Sequence, residues 1–267
     1  MSAITQISAE GNEHDELTTY MRCNIHSKWT SYRGSCGRWL KGKLAAPGTI
    51  CYVAESSTTH EVVGWALWTR HGKSAQAEEW RKPNRGLMKA VERKLLELGD
   101  TYYKYAPNVD PTADHAHFKE LMPLLGAEWP EEIFGEFWEL DGLYVAPTQY
   151  RRGIGRILVS WGVEKGREEN VPVLVRSSPL GRKLYESVGF GVVQREGGFD
   201  AYIPEFIEDL KVKDENEAKG CWALCWQPDG TDFLQRARSK AEEGKGAAKS
   251  DTKGVKMAKA TEAISTT

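Results

Sequence analysis

The sequence predicts an α/β domain in which helices flank a mixed β-sheet. Two observations predict this class. Two β-rich stretches, residues 50–54 and 62–68, precede an amphipathic helix, and a strand, a glycine-containing turn and a second helix then follow one another between residues 136 and 170. A chain of 267 residues can form one large domain or two small ones. We expect one domain over about residues 1–235 and a separate tail over residues 236–267.

Patterns in the first half of the domain predict a hairpin, a helix and a long loop. The two β-rich stretches flank the polar segment Ser56–Thr59, which is typical of a hairpin connection. Apolar residues repeat every three or four positions and predict a helix that ends at Gly99: Leu87, Val91, Leu95 and Leu98. The proline-containing stretch 102–130 is predicted to be a loop that shapes or covers a pocket.

The second half of the domain has a more regular pattern. Residues 137–145 predict a strand, and a turn then leads into a helix that runs to about residue 170. The nearly continuous apolar run Val171–Val175 predicts a buried strand. A second helix and two late strands complete the predicted domain, over residues 180–188, 190–194 and 221–226.

Composition and charge exclude several classes of protein. Hydrophobic residues make up 40% of the chain and charged residues 28%, as in ordinary globular proteins. A formal net charge of −2 argues against a chain that binds nucleic acid over its whole surface. No apolar run reaches the roughly 18 residues that cross a bilayer, and the acidic N-terminus does not resemble a secretory signal. We expect a cytoplasmic protein without membrane contact, with the nucleus as the alternative location.

The segment 236–267 differs from the rest of the chain in composition. It contains eight basic residues against four acidic ones and no aromatic residue. So few apolar side chains cannot offset the entropy lost on ordering, which predicts a disordered basic tail. An arm that contacts nucleic acid or an acidic partner is the alternative role.

The turn that leads into the helix predicted to run to about residue 170 has the composition of a phosphate-binding site. The first amides of a helix lack an intrahelical partner and point outward, where the helix dipole also favours an anion. Gly153 and Gly155 let the backbone approach a ligand closely. Three arginines add positive charge for phosphate oxygens: Arg151, Arg152 and Arg156. The residues that would complete a Rossmann turn or a P-loop are missing, which excludes both.

Two motifs in the second half of the domain contain the residues that indicate its chemistry. The first is Leu-Tyr-Val-Ala-Pro over residues 143–147, followed by Arg-Arg-Gly-Ile-Gly over residues 151–155. The second is Gly-Arg-Lys-Leu-Tyr-Glu-Ser-Val-Gly-Phe over residues 181–190. Together they resemble the acetyl-coenzyme A site of the GNAT (GCN5-related) N-acetyltransferase superfamily. The residues of the second motif are similar to those of uncharacterised fungal members. The clear match covers about residues 136–195.

The resemblance implies a GNAT-like acyl-CoA N-acyltransferase fold, with a mixed, mostly antiparallel central sheet flanked by helices. It implies acetyl-CoA as the cosubstrate and the following cofactor-binding residues: Leu143, Tyr144, Val145, Arg151, Arg152, Gly153, Ile154, Gly155, Arg156 and Ser178. Two positions depart from the family pattern. Tyr150 stands where Gln or Arg is usual, and Ser178 stands where Asn is frequent. We expect rearranged side-chain contacts around a backbone cradle that is kept.

Acyl transfer needs a base for the amine and an acid for the departing thiolate. The resemblance implies that Tyr185 is the acid, with a core tyrosine as the alternative interpretation. It implies Glu139 as the base, and Asp141 is the second candidate. On an ideal strand both carboxylates share one face with Leu143 and Val145, and a carboxylate base would have a raised pKa. By analogy with the family, the backbone near Leu143 and Val145 polarises the thioester.

One cluster has metal-ligating chemistry: Asp110, Asp114, His115 and His117. The sequence offers no convincing further ligands, and structural zinc needs four, so we expect no metal.

The sequence therefore predicts transfer of an acetyl group from acetyl-CoA to a primary amine by direct attack in a ternary complex. Its partners would be acetyl-CoA and an amine acceptor, with nucleic acid contacted only through the tail. Two alternatives stay open: a non-catalytic module that binds or senses acyl-CoA, and a protein-lysine acetyltransferase recruited through its basic tail. The identity of the amine and the oligomeric state are not predicted.

Overall fold

The computed structural model describes residues 2–13, 15, 18, 21–22, 24–105, 110–117, 129–195 and 222–240. Most of the predicted tail lies outside these residues. In the described part of the chain, helices pack on both faces of a six-stranded sheet.

The N-terminal half forms the first two strands and four helices. They are α1 (Ser2–Asn12), α2 (Trp29–Ala45), β1 (Thr49–Glu55), β2 (Val62–His71), α3 (Ala75–Arg81) and α4 (Leu87–Tyr105). The predicted hairpin is confirmed, because β1 and β2 pair in antiparallel fashion. The predicted end of the amphipathic helix at Gly99 is wrong, since α4 continues to Tyr105. An interior glycine costs a helix only about 1 kcal/mol and need not end it.

The C-terminal half follows the predicted order of elements. It contains β3 (Phe137–Val145), α5 (Ile154–Glu169), β4 (Val173–Ser177), α6 (Pro179–Glu186), β5 (Gly191–Arg195), β6 (Trp222–Trp226) and a helix over residues 233–240, α7. Helix α7 runs past residue 235, the predicted end of the domain. Its Ala237 is buried in a cluster with Phe134 and Leu174, so α7 packs as part of the domain.

The strand order of the sheet is β1-β2-β3-β4-β6-β5. Strands β3 and β4 are parallel, and every other neighbouring pair is antiparallel. The parallel pair arises because α5 connects β3 to β4 as a crossover helix. The predicted mixed, mostly antiparallel sheet is confirmed.

The parallel pair separates part of the way along its length. The pairing of β3 with β4 ends at Leu140 and Val175, although β3 continues to Val145 and β4 continues to Ser177. Beyond that point β4 pairs with β6 alone. We call the opening between residues 141–145 of β3 and residues 176–177 of β4 the β3–β4 gap.

A β-bulge at Asp141 changes the direction of the side chains along β3. Trp68 of β2 pairs with Leu140 and Leu67 pairs with Gly142, so Asp141 is an extra residue without a partner in β2. The predicted sharing of one face by both carboxylates, Leu143 and Val145 is therefore wrong. An extra residue shifts the alternation by one, which sends Leu143 and Val145 to the opposite face.

The two faces of the sheet carry separate cores. On the face covered by α5 and α6, which we call the α5 face, Trp68 and Trp138 pack against Leu158. Gly162 of α5 lies so close that an added Cβ would be 2.2 Å from Trp68. On the opposite face, which we call the α2 face, Trp65 packs against Leu40 of α2.

A buried arginine joins α5 to β2. Arg70 is 1% exposed, and its guanidinium lies 2.7 Å from Glu169 at the end of α5 and 2.9 Å from Glu136. Trp80 Nε1 also donates to Glu169, at 2.8 Å. These partners satisfy a charge that would otherwise be costly to bury.

Candidate active site

The loop that precedes α5, residues 150–153, presents the first amides of the helix to solvent. Arg151 has a φ of +66° and Gly153 a φ of +81°, and α5 begins directly afterwards at Ile154. No side chain caps this helix start. Arg151, Arg152 and Gly153 are all exposed. Positive φ together with uncapped amides and exposed arginines is an arrangement that can bind an anion.

The two glycines of this loop have different roles. No heavy atom lies within 4 Å of a Cβ built on Gly153, so its left-handed conformation is what requires glycine. An added Cβ on Gly155 would lie 3.1 Å from Leu184 Cδ2 of α6, so this glycine allows α5 and α6 to pack closely. Arg156 also turns towards α6, where its Nη2 donates to Ser187 Oγ at 3.1 Å.

The second motif lies at the other side of the β3–β4 gap. Ser178 occupies the N-cap position of α6 but makes no side-chain capping hydrogen bond. Tyr185 is 6% exposed, and its ring packs edge-on against Phe190 with centroids 5.7 Å apart. Both the predicted acid and the core tyrosine of the alternative interpretation are compatible with this position on the α5 face.

The predicted cofactor-binding residues of β3 line the gap by their backbone. The side chains of Leu143 and Val145 pack into the core on the α5 face. Tyr144 points to the α2 face, where its ring stacks on Trp65 at 4.8 Å and its hydroxyl accepts from Asn12 Nδ2 at 3.3 Å. Burial raises the pKa of Tyr144 to about 12. Its side chain therefore fixes α1 to the sheet, and only its main chain faces the gap.

Glu139 lies on the α2 face among three donors. Trp129 Nε1 donates to Oε1 at 2.7 Å, His71 Nε2 lies 3.0 Å from Oε2, and Arg176 Nη1 lies 3.4 Å from Oε1. Burial alone would raise the pKa of this carboxyl. The close contact with His71, the hydrogen bond from Trp129 and the neighbouring positive charge of Arg176 outweigh burial, so the pKa lies below its usual value. This direction is opposite to the raised pKa expected of a carboxylate base.

His71 is one of the residues around Glu139 that sequence reasoning missed. It ends β2, its ring stacks on Phe137 at 4.4 Å, and its side chain is 38% exposed against 18% for Glu139. It therefore connects the buried carboxylate to solvent. Side chains alternate between the two faces along β2, so position 71 lies on the same face as position 69. Once Thr69 was known to pair with Glu139, this alternation could have indicated His71.

Asp141, the second candidate base, is held in place by two neighbours. Thr69 Oγ1 donates to Oδ2 at 2.5 Å, and Lys43 of α2 forms an ion pair with Oδ1. The carboxyl is 9% exposed. These contacts fix the bulge and tie α2 to the sheet, which is a structural role.

The residues considered for a metal site make other contacts. Asp110 accepts from Thr112 Oγ1 at 2.6 Å and forms an ion pair with Arg22 at 2.9 Å. The carboxylate of Asp114 accepts from the amide of His117 at 3.1 Å. Among the described residues, no group of three or more His, Cys, Asp or Glu side chains converges on one point. The helices within the described ranges include none with the length and apolar character of a membrane span.

The site joins two chemical environments across the sheet. Tyr185 lies in the core of the α5 face, whereas Glu139 and His71 lie on the α2 face. The loop 150–153 stands at the far end of β3 from Glu139. A loop that can bind an anion, the unpaired edge of β3 and the Glu139–His71 contact thus follow one another along β3.

Comparison with known proteins identifies the fold and the family of the chain. The probable acyltransferase SID5 of Ajellomyces capsulatus is 28% identical over 90 residues, which cover 32% of this chain and 66% of SID5, just under two thirds of that relative. A solved structure from Corynebacterium glutamicum, described as histone acetyltransferase HPA2 and related acetyltransferase, has a TM-score of 0.50 at 14% identity. It covers 85% of this chain and 91% of its own, and it shows the same fold.

The family assignment rests on the sequence match over most of the domain. The model of the acetyltransferase (GNAT) family matches residues 14–190, which is more than half of the chain. The predicted family, fold and enzyme class are confirmed. The chain belongs to the GNAT acetyltransferase family and is an acyltransferase.

Proposed function

We propose that the protein transfers an acetyl group from acetyl-CoA to a primary amine by direct attack within a ternary complex. The observation that carries the proposal is the β3–β4 gap, with the uncapped start of α5 at one end and Glu139 at the other. Acetyl-CoA has a diphosphate, an amide-containing arm and a thioester in that order, and the site offers matching groups in the same order.

The loop 150–153 and the first turn of α5 would hold the diphosphate. Their amides have no side-chain cap, and Arg151 and Arg152 add charge beside them. From Val145 to Glu139 β3 extends over about 20 Å, a length that an extended arm can follow. Over residues 141–145 its main chain on the gap side is not paired with β4, so this part can hydrogen-bond the amides of that arm.

The amine would approach from the α2 face, where Glu139 and His71 lie. A protonated amine must lose its proton before it can attack a thioester. Glu139 is ionised at neutral pH because its pKa is lowered, so it can attract the ammonium and take the proton through a water molecule. His71 lies 3.0 Å away and is more exposed, which provides a route for that proton to solvent.

The departing thiolate would be protonated from the opposite face. Tyr185 occupies the position that the family motif assigns to the acid, and the helix that carries it flanks the gap. Approach of acid and base from opposite faces keeps the two proton transfers separate. No cysteine is needed as a nucleophile, because amine and thioester can meet directly.

The proposal is tested by acetyl-CoA binding and by thiol release over a panel of primary amines. We expect the unchanged protein to bind acetyl-CoA and to release coenzyme A with at least one amine. We expect Glu139→Gln and Tyr185→Phe each to lower kcat by about 10²-fold or more, as typical acid–base contributions do, while the Kd for acetyl-CoA changes little.

Glu61→Gln is a matched control for Glu139→Gln, because Glu61 is an exposed residue of the turn between β1 and β2, outside the site. It should keep the activity of the unchanged protein. Binding of acetyl-CoA without turnover on any amine would instead favour the non-catalytic module. Turnover on protein lysines that is lost without residues 241–267, while small amines still react, would favour recruitment through the tail.

A further inference from the structure

Glu136, the residue before β3, binds the turn that follows β2. Its Oε1 accepts from the amides of Lys73 at 2.5 Å and Ser74 at 2.8 Å, and its Oε2 accepts from Ser74 Oγ at 2.7 Å. One carboxylate therefore holds two successive main-chain amides of the turn 72–74, which connects β2 to α3. Hydrogen bonds to a charged acceptor are among the stronger ones in proteins, so these contacts fix the turn.

The turn 72–74 is shaped around this carboxylate. Gly72 has a φ of +130°, and a Cβ added there would overlap the Glu136 carboxylate, so only glycine fits. Burial would raise the pKa of Glu136, but the hydrogen bonds from Ser74 and Lys73 lower it overall. Glu136 is therefore ionised at neutral pH and can hold the turn as a charged acceptor.

Arg70 connects the same carboxylate to the main chain of His71. Its guanidinium lies 2.9 Å from Glu136 Oε2, and its Nη1 donates to the carbonyl oxygen of His71. Glu136 thus acts on the chain at two places. It holds the carbonyl of His71 through Arg70, and it holds the turn that comes directly after His71 through its own oxygens.

The ring of His71 is held by the next residue of β3. Phe137 is buried and stacks on the imidazole, with centroids 4.4 Å apart and ring planes 9° apart. His71 and Phe137 are also direct partners in the pairing of β2 with β3. With its main chain and its ring both held, His71 has its Nε2 3.0 Å from Glu139 Oε2.

We propose that Glu136 is a positioning residue, which holds His71 against Glu139 by fixing the main chain around the histidine. The role of the His71–Glu139 pair in proton transfer rests on the proposed function. Glu136 acts through the main chain, because its oxygens face the turn 72–74 and Arg70. A displacement of about 1 Å in such a pair is enough to lower catalysis.

Titration of the Glu139 carboxyl carbon by nuclear magnetic resonance tests the positioning without any turnover, with Glu139→Gln to assign the signal. In Glu136→Ala the turn loses its anchor and the imidazole moves away from Glu139. The pKa of Glu139 should therefore rise, as in His71→Gln. A protein that turns over no amine would contradict the proposed function, whereas this titration would still decide the positioning.

Steady-state kinetics adds a second measurement. In Glu136→Ala, kcat at neutral pH should fall about three- to tenfold, and the acid limb of the kcat profile should move to higher pH. The double variant Glu136→Ala/His71→Gln should be little slower than His71→Gln alone, because both changes remove one contact. Fully additive losses would overturn the proposal.

Glu169→Ala is the matched control, because it also removes a carboxylate that pairs with Arg70, at 2.7 Å. The other oxygen of Glu169 accepts from Trp80 instead of from the turn 72–74. Glu169→Ala should lose stability and leave the pKa of Glu139 unchanged. An equal rise in this control, or an unchanged pKa in Glu136→Ala, would overturn the proposal.

Far-ultraviolet circular dichroism checks that each variant is folded. If Glu136→Ala does not fold, Glu136→Gln takes its place with Glu169→Gln as its control, because glutamine keeps the size of the side chain and removes the charge. The pKa of Glu139 should then rise by less, and the absence of any rise in folded Glu136→Gln would likewise overturn the proposal.

Discussion

The carboxylate of Glu139 is surrounded by groups that stabilise its charge. Trp129 and His71 each contact one of its oxygens, and Arg176 adds a positive charge. These partners make Glu139 a weaker base but keep it ionised over a wide pH range. Its function in the proposed reaction is therefore to attract the ammonium and to pass a proton on, and His71 becomes part of the same unit.

Replacing His71 should shift the pH dependence of catalysis. In His71→Gln the close contact and the charge that lower the pKa of Glu139 are lost, so that pKa rises. The acid limb of the kcat profile should then move to higher pH, and kcat at neutral pH should fall about tenfold or more. Steady-state kinetics across the acid range measures both effects.

The exposed His60, in the turn between β1 and β2, provides the control for this variant. His60→Asn should retain the original profile. An unchanged acid limb in His71→Gln would mean that the imidazole does not act on Glu139.

The sequence could identify Glu139 and Tyr185 but not their surroundings. Both were located by motifs whose residues are near one another in the chain. His71 and Trp129 meet Glu139 through strand register and through a loop, and neither is encoded by local spacing. The pKa direction of Glu139 therefore had to come from the structure.

At the scale of elements, the start of α5 depends on the left-handed conformation of Gly153. In Gly153→Ala that conformation costs about 1–2 kcal/mol, and the loop can relax by moving the amides that face the anion site. We expect acetyl-CoA binding to weaken by about tenfold, together with a modest loss of stability. Calorimetry and urea unfolding measure the two quantities.

Gly230 offers a control with matched backbone geometry. Its φ is +77°, close to that of Gly153, and an added Cβ also meets no atom within 4 Å. Gly230→Ala should lose similar stability and keep acetyl-CoA affinity. Equal loss of affinity in both variants would show that the effect comes from general destabilisation.

Elements differed in how well the sequence predicted them. The strand, turn and helix from residue 137 to residue 169 were predicted closely, because apolar spacing and glycines mark their ends. Helix α2 was missed, since Gly34, Gly37 and Gly42 lower its intrinsic propensity. It forms through tertiary packing, as where Gly37 approaches Thr5 of α1. A single extra residue at Asp141 leaves no sequence signal of a bulge.

For the whole molecule, acid stability should depend on carboxylates that lie in separate regions. Burial would raise the pKa of Asp110, Glu136 and Glu139, but hydrogen bonds and neighbouring cations lower each of them overall. Each stabilises the fold fully above its unfolded pKa of about 4 and loses this contribution as pH falls through the lower folded pKa. The free energy of unfolding should therefore decrease on acidification below about pH 4.

The variant Glu136→Gln isolates one of these contributions. It removes a carboxylate that accepts hydrogen bonds from Ser74 and contacts Arg70. Its unfolding free energy should be lower than that of the unchanged protein at pH 7, and the difference should shrink towards pH 3. Urea unfolding at several pH values measures this difference, and a difference that does not change with pH would contradict the prediction.

The family motifs predicted the fold of the whole molecule, but they did not predict which side chains are exposed on its surface. Residues 136–195 matched the motifs, and the fold followed from them. The apolar spacing in α4 predicted an amphipathic helix, but spacing shows only that an apolar stripe exists and does not show what covers it. The tail from residue 241 onward lies outside the described residues, so its predicted disorder stays a prediction.

The partial separation of β3 and β4 has a mechanical consequence. Within the part of the chain that the structure describes, the ladder between the two halves of the sheet is short: Trp138–Val173, Glu139–Leu174 and Leu140–Val175. This short ladder is the place where the sheet can hinge, with α5 bridging both halves. A molecule wedged along the open edge would supply the missing main-chain partners and stiffen the sheet. Amide hydrogen exchange near this seam would then slow in the presence of ligand and report occupancy without any chemical turnover.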